Sequence, residues 1–136
     1  MNTHEPMTAV VCHGPKDYRV DKIARPVAGL REIVIRISAC GICASDCKCW
    51  SGAKMFWDGE NPYVKVPVVP GHEFFGVVES LGDGAASHFD VALGDRVIAE
   101  QIVPCEQCRF CRSGKYWMCE VHNIFGFQRT VAEGGM

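Results

Sequence analysis

Cys105-Glu-Gln-Cys108-Arg-Phe-Cys111 sets three thiols at a fixed step of three, and Cys119 follows after Arg112-Ser-Gly-Lys-Tyr-Trp-Met118. Tetrahedral zinc takes four thiolates, and so short a step lets neighbouring thiolates converge on one ion without long-range help. Pro104 and Gly114 suit the turns of such a loop. Four thiolates leave the site net negative, a charge that Arg109, Arg112 and Lys115 within the loop would offset. Disulfides or free thiols are the plainer alternatives, but four cysteines at this spacing favour zinc. The loop supplies no general base and no open coordination position, so this zinc would be structural.

A second concentration has a different grammar. Cys40-Gly-Ile-Cys43-Ala-Ser45-Asp46-Cys47-Lys48-Cys49 mixes thiols with a hydroxyl and a carboxylate, as a working metal site does. Pro70-Gly71-His72-Glu73 adds an imidazole and a carboxylate downstream. Each residue has a bland reading when taken alone. His72 would be a core histidine, Asp46 a turn or helix-cap residue, and Ser45 would carry no meaning. Cys40 and Cys43 could form a redox couple, but that use needs a βαβ pattern, which this sequence lacks. Cys47 and Cys49 read as incidental thiols, Cys12 as a small core residue, and His4, His13, His88 and His122 as ordinary polar residues.

Composition bounds the elements that must position these groups. The chain has 136 residues, 48% of them apolar, enough for one domain with a packed core. There is no apolar run of membrane length and no apolar signal region at the start. Net charge is -2 with both signs interspersed, so neither nucleic acid nor an anionic membrane is implied as partner. Nine cysteines without a secretory signal point to reduced thiols in the cytosol rather than a disulfide framework.

Strand signals run through most of the chain. They cover 7–13, closed by Gly14-Pro15; 18–23; 32–38, with Ile33, Ile35 and Ile37 on one face; 74–80, closed by the turn 81–84; 96–103; and a tail strand from Ile124. Residues 51–69 read as a long loop whose Phe56, Trp57 and Tyr63 either pin it to the core or line a pocket. Residues 40–50 and part of 112–120 are the helix candidates. Short strands with Gly/Pro turns predict a mainly β domain, a small, partly open barrel carrying the zinc lobe at about 104–120.

Cys40-Gly-Ile-Cys43-Ala-Ser-Asp46, Gly71-His72-Glu73 with Gly76 behind it, Gly94-Asp95-Arg96-Val97 and the four-cysteine lobe stand here in one order. In that order and spacing the chain resembles the zinc-dependent medium-chain dehydrogenases, nearest their polyol and threonine branch, from about residue 7 to 136. The resemblance implies a GroES-like catalytic domain over 1–136. It makes Cys43 and His72 ligands of a catalytic zinc, with Glu73 a ligand or close beside the metal. Asp46 would hold the His72 imidazole, and Ser45 would bond the substrate hydroxyl and relay its proton. Cys105, Cys108, Cys111 and Cys119 would bind the structural zinc, and Cys40 would not be a ligand. The chemistry is consistent: an alcohol gives up hydride more easily once deprotonated, and zinc lowers its pKa. The acceptor in this family is NAD or NADP.

Two departures shape the expectation. Many members carry His two positions after the Asp; here that position is Lys48, so water or Lys48 would take the outer step of the proton path. No Gly-x-Gly-x-x-Gly follows a strand, so the nucleotide-binding α/β domain is missing and the catalytic domain looks cut on its C-terminal side. The reading is thus the catalytic domain of a zinc dehydrogenase that oxidises a secondary alcohol or polyol, cytoplasmic and homo-oligomeric when full length. These residues alone are expected to be inactive. Its rivals are a threonine 3-dehydrogenase-like activity, a non-catalytic zinc-stabilised binding module, and a nucleic-acid-binding zinc ribbon. The balanced charge disfavours the last.

Overall fold

A computed structural model describes residues 6–131. His4 and the last part of the tail lie outside the described residues. The elements are mostly short strands: β1 (Met7–Gly14), β2 (Asp17–Ile23), β3 (Ile33–Cys40), β4 (Phe74–Leu81), β5 (Arg96–Ile98), β6 (Ile102–Val103) and β7 (Asn123–Ile124). Helices are few and brief: α1 (Ala44–Ser51), α2 (Lys54–Trp57), α3 (Ala85–Phe89), α4 (Arg109–Arg112) and a 3-10 turn over Tyr116–Met118. The domain is mainly β, as expected. Its strands form three antiparallel sheets, β1-β2, β3-β4-β5 and β6-β7, and no barrel closes among the described residues.

Three details depart from the sequence reading. Residues 96–103 are not one strand. Arg96–Ile98 pairs with β4, whereas Ile102–Val103 pairs with β7. The tail likewise keeps only Asn123–Ile124 as strand and then turns, with Gln128 N–H bonded to Ile124 O at 2.9 Å. On β3 the buried residue is Val34, and Ile37 is exposed. Register shifts between Val34 and Ile35 and between Ile37 and Ala39 break the alternation that put the three isoleucines on one inner face. Helices α2 and α3, and α4 up to its last residue, fall outside the helix candidates 40–50 and 112–120.

The core joins segments distant in sequence. Cys12, Cys49, Phe56, Val64, Val68, Ile124 and Phe127 are buried together. Phe56 stacks on Phe127 with ring centres 5.2 Å apart and meets Tyr63 edge-on at 5.8 Å. The Trp57 indole donates to Cys49 O at 2.8 Å. The aromatics of 51–69 therefore pin their segment to the core, the first of the two roles weighed for them. Cys12 is wholly buried, as expected, and Cys49 is a core residue as well. A two-way backbone bridge, Cys12 N to Val68 O at 2.8 Å and Val68 N to Cys12 O at 3.2 Å, ties β1 to the segment leading into β4.

Phe56→Ala removes a ring that is 4% exposed from between two other rings. It should lower stability by about 3–5 kcal/mol, measured by urea unfolding. A loss below ~1 kcal/mol would mean the ring is not seated as described.

Candidate metal centres

Strand pairing builds the first centre. In the β3–β4 ladder Cys40 stands opposite Phe74, and one step further Gly41 N–H donates to Glu73 O at 2.8 Å. Because the strands are antiparallel, the chain leaving β3 and the chain entering β4 lie side by side. Cys43 follows as the residue that starts α1, in extended conformation, and Gly52 in the left-handed region ends that helix. The candidate ligand atoms of Cys43, His72 and Glu73 all lie within 4.8 Å of one another.

Asp46 links the two segments. Its Oδ2 accepts the Cys43 N–H at 2.8 Å, which satisfies a donor at the helix start. Its Oδ1 lies 3.4 Å from His72 Nδ1. That pair is within ion-pair range without meeting hydrogen-bond geometry, and both atoms are buried without a hydrogen-bond partner. On the other side of the ring, Ser45 Oγ stands 3.4 Å from His72 Nε2. His72 is 6% exposed, whereas Glu73 is exposed. A buried imidazole with a carboxylate behind one nitrogen, and a thiol and a second carboxylate beside it, is a donor set that suits zinc.

Two residues behind His72 had no signal in the sequence. The Phe127 ring lies 5.1 Å from the imidazole, and Gly126 presses on Gly71 so closely that a Cβ at 126 would sit 2.5 Å from Gly71 O. Both glycines have positive φ. A cleft of about 430 Å³ opens beside His72 and Glu73, lined otherwise by Phe74, Phe75, Ile98, Ala99 and Gln101. Lys48 is exposed in the last turn of α1 and takes no part in the contacts around His72 just described. Cys40 and Cys47 are exposed, and Cys40 is not in the group with Cys43.

The second centre is the lobe. The sulfurs of Cys105, Cys108, Cys111 and Cys119 all lie within 4.8 Å of one another. Cys108 and Cys111 are 3.5 Å apart and Cys105 and Cys111 3.9 Å, against about 3.8 Å for thiolates set tetrahedrally at ordinary zinc–sulfur bond lengths. Backbone N–H groups point at the sulfurs: Cys108 N to Cys105 Sγ at 3.4 Å, Cys111 N to Cys108 Sγ at 3.5 Å and Cys105 N to Cys119 Sγ at 3.4 Å. Such donors favour thiolate. The Cys105 N–H, first among several, holds the Cys119 thiol down to about 6, and the Cys111 N–H lowers that of Cys108. Desolvation, first among several causes, pushes Cys111 up to about 12, which a cation among the sulfurs would counter. The basic residues answer this charge less directly than their positions suggested, since Arg109 pairs with Glu120 at 3.0 Å. The Tyr116 hydroxyl donates to Glu100 at 2.6 Å and Arg31 pairs with Glu106 at 3.2 Å, tying the lobe to the body.

Comparison with known proteins gives the family. The profile of the alcohol dehydrogenase GroES-like domain matches residues 29–136. Erythritol/L-threitol dehydrogenase of Mycolicibacterium smegmatis is 52% identical over 129 residues, covering 93% of this chain and 36% of that protein. Sorbitol dehydrogenase of Bombyx mori is 39% identical over 111 residues, covering 82% of this chain and 30% of that protein. A provisionally assigned zinc-binding dehydrogenase of Sinorhizobium meliloti 1021, solved bound to NADP, superposes with a TM-score of 0.75 at 28% identity, over 93% of this chain and 34% of its own. The chain spans about a third of the length of these relatives. The thiol, imidazole and carboxylate gathered at the β3–β4 end, the four-thiol lobe and these matches lead to one conclusion: the chain belongs to the zinc-dependent medium-chain alcohol and polyol dehydrogenase family.

Proposed function

We propose that residues 1–136 are the catalytic domain of a zinc-dependent oxidoreductase that oxidises a polyol at a secondary carbon, with NAD or NADP as hydride acceptor. The observation that carries this reading is the gathering of Cys43, His72 and Glu73 within 4.8 Å, with Asp46 behind the imidazole. The relative at 52% identity is named for two four-carbon polyols, which favours a short polyol over threonine as substrate. A scaffold with only a binding role would have no need of Ser45, Asp46 and Glu73 around a buried histidine.

In this reading Cys43 Sγ, His72 Nε2 and Glu73 hold the catalytic zinc, and the four lobe cysteines hold the structural one. Zinc at the first centre would acidify a substrate hydroxyl and stabilise the charge that grows on its oxygen as hydride leaves. The Asp46 carboxylate, 3.4 Å from Nδ1, electrostatically favours a proton on that nitrogen, which would leave the Nε2 lone pair for the metal. Ser45 Oγ, beside Nε2, takes the hydroxyl proton and passes it outward, with water or Lys48 as the final acceptor. The cleft beside Glu73 is open to solvent on this domain, and its Phe74, Phe75 and Ile98 would meet the carbon chain of a substrate while Gln101 offers a polar contact to a neighbouring hydroxyl. The acceptor needs a nucleotide-binding domain, and the Sinorhizobium relative, about three times as long, is the one seen with NADP. A cytosolic homo-oligomer completes the proposal. No helix among the described residues is long and apolar enough to cross a membrane.

Three measurements test these assignments. Cys105→Ser should release the tightly held zinc and lower thermal stability, by elemental analysis and calorimetry; retained zinc would remove the lobe from metal binding. In the full-length enzyme Cys43→Ala should abolish turnover while Cys40→Ala costs stability at most, so equal losses would overturn the choice of ligand. Asp46→Asn should keep the fold by circular dichroism and reduce metal affinity or rate by about 10–100-fold, and wild-type values in that variant would exclude a role behind His72.

A further inference from the structure

We propose that Gly41 is a positioning residue, and that the missing Cβ at 41 is what seats the Glu73 carboxylate among Cys43 and His72. The inference rests on reading those three residues as a metal centre and says what decides whether the third of them takes part. The backbone at 41 is pinned against that at 73 by the Gly41 N to Glu73 O bond of 2.8 Å, one step beyond the last β3–β4 pair. The Glu73 side chain folds back over this spot. A Cβ built at 41 would lie 2.8 Å from Glu73 Oε2 and 3.3 Å from Glu73 Cβ. Neither separation is an ordinary contact, so something must yield.

What yields follows from the surroundings. Gly41 is not among the glycines with positive φ, so alanine adopts its backbone without strain. The Glu73 main chain is held by the hydrogen bond and by the strand it enters. The 3.3 Å approach to Glu73 Cβ needs a backbone adjustment of a few tenths of an ångström, but the closer contact is to the exposed carboxylate at the end of a flexible side chain, and relief there means turning it away from Gly41 and out of its present seat. Gly126 makes the contrast: there an added Cβ meets the Gly71 backbone, and φ itself is in the left-handed region, so its constraint belongs to the fold. At Gly41 the constraint belongs to one side chain of the centre. With glycine at 41 the cluster presents thiolate, imidazole and carboxylate; with any larger residue it presents thiolate and imidazole, and leaves the third position to solvent.

Cobalt(II) reports this directly through its ligand-field absorption. The intact protein, its four-thiol lobe first filled with zinc, is titrated with cobalt against a chelator. Gly41→Ala should lower cobalt affinity by about 10-fold or more and shift the absorption bands to those of Glu73→Gln. It should leave the lobe zinc in place and, in the Glu73→Gln background, have no further effect. Wild-type affinity and bands in Gly41→Ala would overturn the proposal. So would an equal loss in both backgrounds, or a variant that does not fold, because the constraint would then lie in the backbone. Cys43→Ser is the control on the underlying reading. If it leaves cobalt affinity unchanged, the three residues are not a metal centre and the role of Gly41 falls with that reading.

Discussion

The antiparallel register of β3 and β4 is the constraint on which the rest depends. Setting Cys40 opposite Phe74 places the start of α1 and the His72-Glu73 pair at one end of one sheet. A slip of one residue would turn Phe74 and Val78 outward and carry His72 away from Cys43. Two features guard against that slip. Gly76 faces Arg36 so closely that a Cβ there would lie 2.3 Å from the Arg36 carbonyl oxygen. The shifts at Val34/Ile35 and Ile37/Ala39 each occur at a defined place, which fixes the pairing on both sides of them.

Asp46 does two jobs with two oxygens, and the jobs support each other. Capping the helix through the Cys43 N–H fixes where α1 begins, and therefore where the Cys43 sulfur stands. The other oxygen faces the imidazole from a strand entrance far along the chain. The lobe follows a different logic. Its four thiols come from one short loop, and so do the N–H donors that point at them. One centre depends on tertiary packing for its geometry, and the other on local turns.

How legible each part was follows from that difference. Metal ligation restricts both residue type and spacing, so the four lobe cysteines could be grouped from their spacing, while Cys43, His72, Glu73, Asp46 and Ser45, which the structure brings together, could be picked out only through the family resemblance. Phe127 and Gly126 could not, because a ring that covers an imidazole needs only to be aromatic and near, and nearness is a property of the fold. Residues 96–103 contain no Gly or Pro and so pass for one strand, but periodicity says nothing about a change of partner after Ile98. The isoleucines of β3 misled for a related reason: alternation assumes an unbroken pleat, and the register shifts break it. Helices α2 and α3, four and five residues long, are shorter than the window in which a helical period can be recognised.

Phe127 closes the back of His72 from a position more than fifty residues further along the chain (127 − 72 = 55). Loop closure across such a separation comes late, because its entropy cost must be met before the contact returns anything. The lobe, which closes over fourteen residues (119 − 105 = 14), carries no such delay. The cover over His72 is therefore the long-range closure and the gathering of the four lobe thiols the local one. A loosening of the segment around Phe127 uncovers the imidazole while the lobe, held by its own N–H to sulfur contacts, stays closed.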